Sequence, residues 1–393
     1  MPKTDLQSCI DFLQRLIQTP SLPGEESAIV QLVRSEMESL GYDEVSQDEA
    51  GNVTGTLRGE GKAPPLLFNT HLDHVDVGDH SRWPHPPFGA EVHQRRIWGR
   101  GAVDIKGPLA AQVYGVAGLI EQGRRPPGDV LVTAVVQEEV GGTGARYMVG
   151  QLEPSIAVIG EPSSNTLRRG HRGRTQLELH VAGRSVHASV PSRGVNPLQV
   201  VARFITALQE LEMRQDPALG PSSVAPTLIR TDQISSNVIP AEVWLTCDWR
   251  NIPGEAGEDC RRVLQELADG CLIEGAEAEV SIPVFERRSF TGYQAGIPAD
   301  NPAFLTPASH AVVQAAQGIL QEAISLDEPV GVWRFATDGG HFHRSGWTVI
   351  GFGPGDEALA HTVKESVEIS EIEEALAGNR ALALELGQRA AQG

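Results

Sequence analysis

Three short apolar runs in this chain each stop at a histidine or a carboxylate. Leu66-Leu67-Phe68 runs into Asn69-Thr70-His71-Leu72-Asp73, residues 130–136 run into Gln137-Glu138-Glu139, and residues 156–160 run into Glu161-Pro162. Such runs are too short for helices and read as buried strands. Strands of this kind placed side by side gather their polar ends at one edge of a sheet, the edge where open α/β folds bind ligands. The pattern therefore predicts an α/β sheet whose functional groups converge from distant parts of the sequence.

His71 and Asp73 lie two residues apart and would face the same side of a strand. That spacing suits a metal-bound imidazole steadied by a carboxylate, and it equally suits an ordinary strand-end hydrogen-bond pair. The segment Gly99-Arg100-Gly101-Ala102-Val103-Asp104-Ile105-Lys106-Gly107-Pro108 precedes an apolar helix that runs to Ile120. Its glycine spacing matches neither phosphate-binding loop, and an aspartate between glycine turns suits a bridging metal ligand better. Glu138 and Glu139 would face solvent as a plain strand end. If buried together, they would need a cation beside them. His361 stands in Ala360-His361-Thr362. Two imidazoles (His71, His361) and three carboxylates (Asp104, Glu161 and one of the Glu138–Glu139 pair) suffice for two zinc ions sharing one bridging carboxylate. The remaining glutamate would then be free to take a proton from water.

Elsewhere Thr4 and Gln7 suggest a capping box before a helix, and a second helix spans about 25–40 with Gly41 closing it. Residues 74–100 read as a Pro- and His-rich connection. Near residue 175 the style changes. Alternating strands at 175–181, 224–230, 236–239, 243–249 and 276–284, with helices from Asn196-Pro197 and at 255–270, read as a ferredoxin-like α+β unit inserted over 175–289. The chain then returns to its first style, with a helix at 307–324, strands at 330–335 and 347–352, and a last helix after Ser370.

Taken together, His71-Leu72-Asp73, Gly99 to Gly107, Glu138-Glu139, Gly160-Glu161-Pro162, Ser185-Val186-His187-Ala188-Ser189 and His361 resemble the co-catalytic di-zinc amidohydrolase family. That family holds acetylornithine deacetylase, succinyl-diaminopimelate desuccinylase, carboxypeptidase G and aminoacylase. The motifs stand in the family's order along nearly the whole chain. The resemblance implies a zinc-exopeptidase-like α/β domain, a mixed sheet with helices on both faces, formed by 1–174 and 290–393. The 175–289 insertion would be a dimerisation or lid domain. His71 and Glu161 would hold one zinc, Glu139 and His361 the other, with Asp104 bridging them and a cis peptide following it. Asp73 would hold the His71 ring and Glu138 would be the general base. His187 would reach the partner subunit's site, making the protein a homodimer. Asn237 and Arg250 would grip substrate, with Thr337 or Asp338 lining the pocket. Cobalt or manganese could replace zinc with the same ligands. Ile105 and His74 depart from the family pattern without removing a ligand, and Glu161 in place of aspartate resembles the deacylase and carboxypeptidase side of the family.

The implied activity is hydrolysis of the amide bond of a small N-acyl amino acid, with a dipeptidase or carboxypeptidase as the alternative. A metal-stabilised binding protein without catalysis is the reading from another class, though it would have no need of both Glu138 and His187. A net charge of −19 over 393 residues argues against nucleic acid and anionic membrane as partners. Cys9, Cys247, Cys260 and Cys271 form no C-x-x-C pair, no apolar run nears ~18 residues, and the opening residues lack an export signal. A cytoplasmic protein with reduced thiols is expected.

Overall fold

A computed structural model describes residues 3–153 and 155–392. The main sheet has nine strands. Its centre is Val130–Val135, Leu66–His71, Ile156–Ile159 and Thr348–Gly351, all parallel. Val53–Leu57 and Glu44–Gln47 extend one side, both antiparallel, while Arg168–His171, Phe304–Leu305 and Gly331–Trp333 extend the other. The register pairs His71 with Val135 and Asn69 with Ile159. The three central apolar strands thus end together at one edge.

Successive side chains of a strand alternate between faces, and both faces here are covered. Leu66, Phe68, Val130 and Val132 pack with the helices Leu6–Ile17, Ser27–Leu40, Gly107–Glu121, Ala311–Ile324 and Ile369–Ala390. Leu67, Val135, Ala157 and Ile159 pack with Ala145, Met148 and Phe342 from the short helices Thr143–Val149 and Gly339–Arg344. Burial on both faces is why these strands read as continuous apolar runs.

The first cap differs from the expected one. Asp5 is the N-cap and its carboxylate accepts the Ser8 N–H at 2.9 Å, because Thr4 is bound through its N–H and hydroxyl to Glu121. Gly41 ends the second helix at φ +85°, the left-handed cap that glycine adopts without strain. The 74–100 connection contains a hairpin, Glu91–His93 with Arg96–Trp98, which pairs with Ser366–Glu368.

A second sheet runs Ser223–Thr231, Glu242–Arg250, Arg174–Ala182, Glu277–Ser281, all antiparallel. Asp300–Asn301 pairs with the start of Arg174–Ala182. With the helices Pro197–Leu208 and Gly257–Gly270 it encloses its own core of Leu177, Leu179, Val181, Phe204, Leu245, Cys247 and Leu264. The chain order and the spatial order of these strands are those of a ferredoxin-like sandwich. The expected strand at 236–239 is only Val238–Ile239 and pairs with Val186–His187, outside this sheet. Val284–Arg288 forms a separate hairpin with Gln294–Pro298. The four cysteines are buried and unpaired.

Candidate metal centre

His71 is the last residue of its strand. Asp104 sits in the tight turn Ala102–Lys106, entered through Gly101 at φ +81°, and its peptide bond to Ile105 is cis. Glu365 anchors this turn: one carboxylate oxygen accepts the N–H groups of Val103 and Asp104, each at 3.1 Å, and the other pairs with Arg100 at 2.5 Å. Gln137 takes φ +57°, turning the chain so that Glu138 and Glu139 follow the strand end. Their N–H groups donate to the two carboxylate oxygens of Asp73 at 3.0 and 3.1 Å. Glu161 leaves the neighbouring strand, and His361 sits at φ +62° after the turn Glu357–Leu359.

These side chains form two triads with one shared member. His71 Nε2 lies 3.1 Å from Asp104 Oδ1 and 3.7 Å from Glu161 Oε1. His361 Nε2 lies 3.1 Å from Asp104 Oδ2 and 3.0 Å from Glu139 Oε1. Within each triad the three donor atoms are no more than 4.8 Å apart, and these are the two such groups found among the described residues. Asp104 gives one oxygen to each.

The electrostatics fit a pair of cations. Burial, then the neighbouring carboxylates, push Glu138 and Glu161 well above the usual carboxylate range, and Glu139 is raised for the same reasons. His361 is raised to about 10 by its bonds to Asp104 and Glu139. Burial of His71 opposes its charge, yet Asp104, Asp73 and the glutamates outweigh that and favour positive charge at this position. Glu161 Oε2 is buried with no hydrogen-bond partner, an orphan acceptor that a cation would satisfy. Imidazole nitrogens and carboxylate oxygens in this ratio are zinc ligands, and cobalt and manganese accept them too. Glu138 belongs to neither triad.

The remaining predicted residues fall in three places. Asp73 is completely buried, but the His71 ring is held mainly by its backbone carbonyl, 3.0 Å from Nδ1, while its carboxylate is 3.5 Å from that nitrogen. That carboxylate holds the Glu138 and Glu139 amides instead. Arg250 lines a cleft of about 570 Å³ that also reaches Glu138, Glu139 and His361. His187 and Asn237 are exposed neighbours across a short ladder, where Ala188 N–H donates to the Asn237 carbonyl at 2.9 Å, and neither lines this chain's cleft. Thr337 is buried behind the wall, its N–H donated to His171 Nε2 and its hydroxyl accepting the Gly339 N–H. Phe335 and Ala336 form the cleft surface there. His341 is buried and held well below its ordinary pKa by burial and nearby arginines, so it is a neutral core imidazole. Sequence reasoning missed Arg174, Arg287 and Phe285 on the cleft wall. It also missed Glu365, which follows His361 by four positions and is itself completely buried.

The model of peptidase family M20/M25/M40 matches residues 67–385. Over 365 residues the chain is 31% identical to the uncharacterised protein YgeY of Escherichia coli strain K12, covering 90% of this chain and 88% of that one. Over 378 residues it is 29% identical to a succinyl-diaminopimelate desuccinylase of Cereibacter sphaeroides, covering 91% and 93%. Among solved structures, a tripeptidase from Staphylococcus aureus superposes with a TM-score of 0.76 at 20% identity, over 98% of this chain and 99% of that one. An M20 metallo-carboxypeptidase from Sulfolobus solfataricus gives 0.75 at 16%, over 98% and 100%. With its sheet, its two ligand triads and this likeness in agreement, the chain belongs to peptidase family M20/M25/M40 and is a metal-dependent amidohydrolase.

Proposed function

We propose that this enzyme hydrolyses the amide bond of a small N-acyl amino acid with two zinc ions. His71, Asp104 and Glu161 would hold one and Asp104, Glu139 and His361 the other. The observation that carries this reading is the pair of triads sharing Asp104 beside Glu138, a half-buried carboxylate left out of both. Cations held there would supply the Lewis acidity that activates water and polarises a carbonyl. Glu138 would be the general base, taking a proton from the attacking water and returning it to the leaving amine. Glu161 in the place of an aspartate favours the deacylase and carboxypeptidase side of the family, and the desuccinylase relative favours a deacylase.

Residues 1–174 and 290–393 would form the catalytic domain and 175–289 the lid, joining two copies into a homodimer. The edge strand Ser223–Thr231 supports this: Leu228 and Ile229 are 61% and 49% exposed on it, an open apolar edge suited to a second copy. His187 and Asn237, exposed on the same unit, would enter the partner's cleft, where His187 stabilises the oxyanion. Buried reduced thiols support a cytoplasmic setting. Among the described residues no helix is long and apolar enough to cross a membrane.

The test is an assay of N-acyl amino acids and dipeptides after reconstitution with zinc, cobalt or manganese, beside Glu138→Gln. Turnover of N-acyl substrates should fall by roughly 10²–10⁴-fold in the variant with metal content unchanged. Metal binding with no hydrolysis by the parent chain would leave a binding protein. Near-full activity of Glu138→Gln would refute the proton route.

A further inference from the structure

Arg174, Arg250 and Arg287 all line the cleft that reaches Glu138, Glu139 and His361. The chain carries a net charge of −19, so an anionic substrate is repelled by the molecule at large and needs local attraction to enter. Two of the arginines are set by one carboxylate. Asp248 accepts Arg174 Nε at 2.7 Å and Arg250 Nε at 2.6 Å. Both contacts use Nε, and among the described residues the terminal nitrogens of either guanidinium have no protein partner. Among the described residues Arg287 donates only its Nε, to the Val140 carbonyl at 3.3 Å, and its guanidinium lies 5.2 Å from the centre of the Phe285 ring. Asp300, which also lines the cleft, is already tied to Arg344 at 3.1 Å and to the Thr175 hydroxyl at 2.9 Å. Asp248 is thus the counter-charge of two of these forks, and Arg287 has no carboxylate partner among the described residues. Planar forks with free terminal N–H groups are built to take carboxylates in pairs of hydrogen bonds.

One fork, that of Arg250, is accounted for by the carboxylate of an ordinary N-acyl amino acid. We infer that Arg174 and Arg287 select a second carboxylate, so that the preferred substrate is a dianionic N-acyl amino acid. This deepens the amide-hydrolase reading and rests on it. The second acid can belong to the acyl group or to the amino-acid side chain, and the chemistry of recognition is the same.

Two matched pairs separate those sources: N-acetylglutamate against N-acetylglutamine, and N-succinylleucine against its succinamoyl counterpart. In the zinc-loaded enzyme the acid of one pair should be preferred in kcat/KM by roughly 10-fold or more, the size of one partly exposed charge-assisted contact. Arg174→Gln and Arg287→Gln should each pull that ratio toward one. Arg34→Gln removes a charge paired with Glu38 on a remote helix and should leave the ratio intact. Parity in both pairs, or a ratio untouched by both cleft substitutions, overturns the inference. Calorimetric titration with the same compounds covers a chain that hydrolyses none of them. Tighter binding of the acids, weakened by both substitutions, would uphold the anion wall while the hydrolase reading fails, and equal binding of acid and amide would sink the wall.

Discussion

Asp73→Asn tests the division of labour at the strand edge. The Asp73 carboxylate accepts two N–H groups, from Glu138 at 3.0 Å and Glu139 at 3.1 Å, and it is completely buried. Asparagine can keep one of these bonds but must turn its amide N–H₂ toward the other donor. One charge-assisted bond is lost, worth about 1.5–3 kcal/mol, which corresponds to roughly 10–150-fold in an equilibrium constant. The loss falls on the segment carrying Glu139, a member of the His361 triad. The His71 triad is spared, because the His71 ring is held mainly by the Asp73 backbone carbonyl at 3.0 Å, which the substitution leaves in place. Dialysis against buffered free zinc followed by elemental analysis should therefore find the parent with two equivalents and Asp73→Asn with about one, since losing a group that orients metal ligands weakens a metal site by roughly 10–100-fold. Turnover should fall alongside, and a melting curve confirms that the variant is folded. Two equivalents bound with parental affinity would refute the assignment of this carboxylate to the Glu138–Glu139 amides. Loss of both equivalents in a folded protein would show that it governs His71 after all.

Mixing inactive His187→Ala with inactive Glu138→Gln should restore about a quarter of parental activity if each site takes its histidine from the partner in a twofold dimer, and no recovery would refute the crossing of His187 into the partner's site. His74 is buried, its Nε2 accepting the Ser21 N–H at 2.9 Å and its Nδ1 donating to the Val75 carbonyl at 2.8 Å, and burial pushes it down from 6.5 to about 4. The unfolded chain then takes up this proton first, so stability should fall as pH drops from 6.5 to 4, by at most about 3 kcal/mol. Chemical denaturation should give a flatter pH slope in His74→Asn, and identical slopes would refute the assignment. Zinc at a hundred times its Kd should raise the melting temperature of the chelator-treated protein by roughly 3 °C or more, an effect that Glu161→Ala should reduce and that a metal-free fold would not show.

The strands that set the site were legible because both faces are buried: Leu66 and Phe68 serve one core and Leu67 the other, so the run is apolar throughout and its polar end is unmistakable. The alternation of Glu242–Arg250 was legible for the opposite reason, since one face stays partly wet. What escaped depended on distant partners. Thr4 looks like a cap until Glu121 takes its hydroxyl, and the strands Glu91–His93 and Arg96–Trp98 owe their order to Ser366–Glu368. The helix Thr143–Val149 hid behind Gly141 and Gly142, both at positive φ, which read as loop. At the site, the histidines and carboxylates stood at strand ends where period and chemistry coincide. Arg174 and Arg287 carried no such signal. They reach the cleft through a sheet edge and a hairpin whose placement is a tertiary fact.

The single aspartate common to both triads has a thermodynamic corollary. Two cations held there would share the charge of one carboxylate, so their affinities could not be independent. Whatever the first ion did to the second, the second would do to the first by the same factor. Apparent metal preference would accordingly be a property of the couple, and a titration fitted with two separate constants would misassign it.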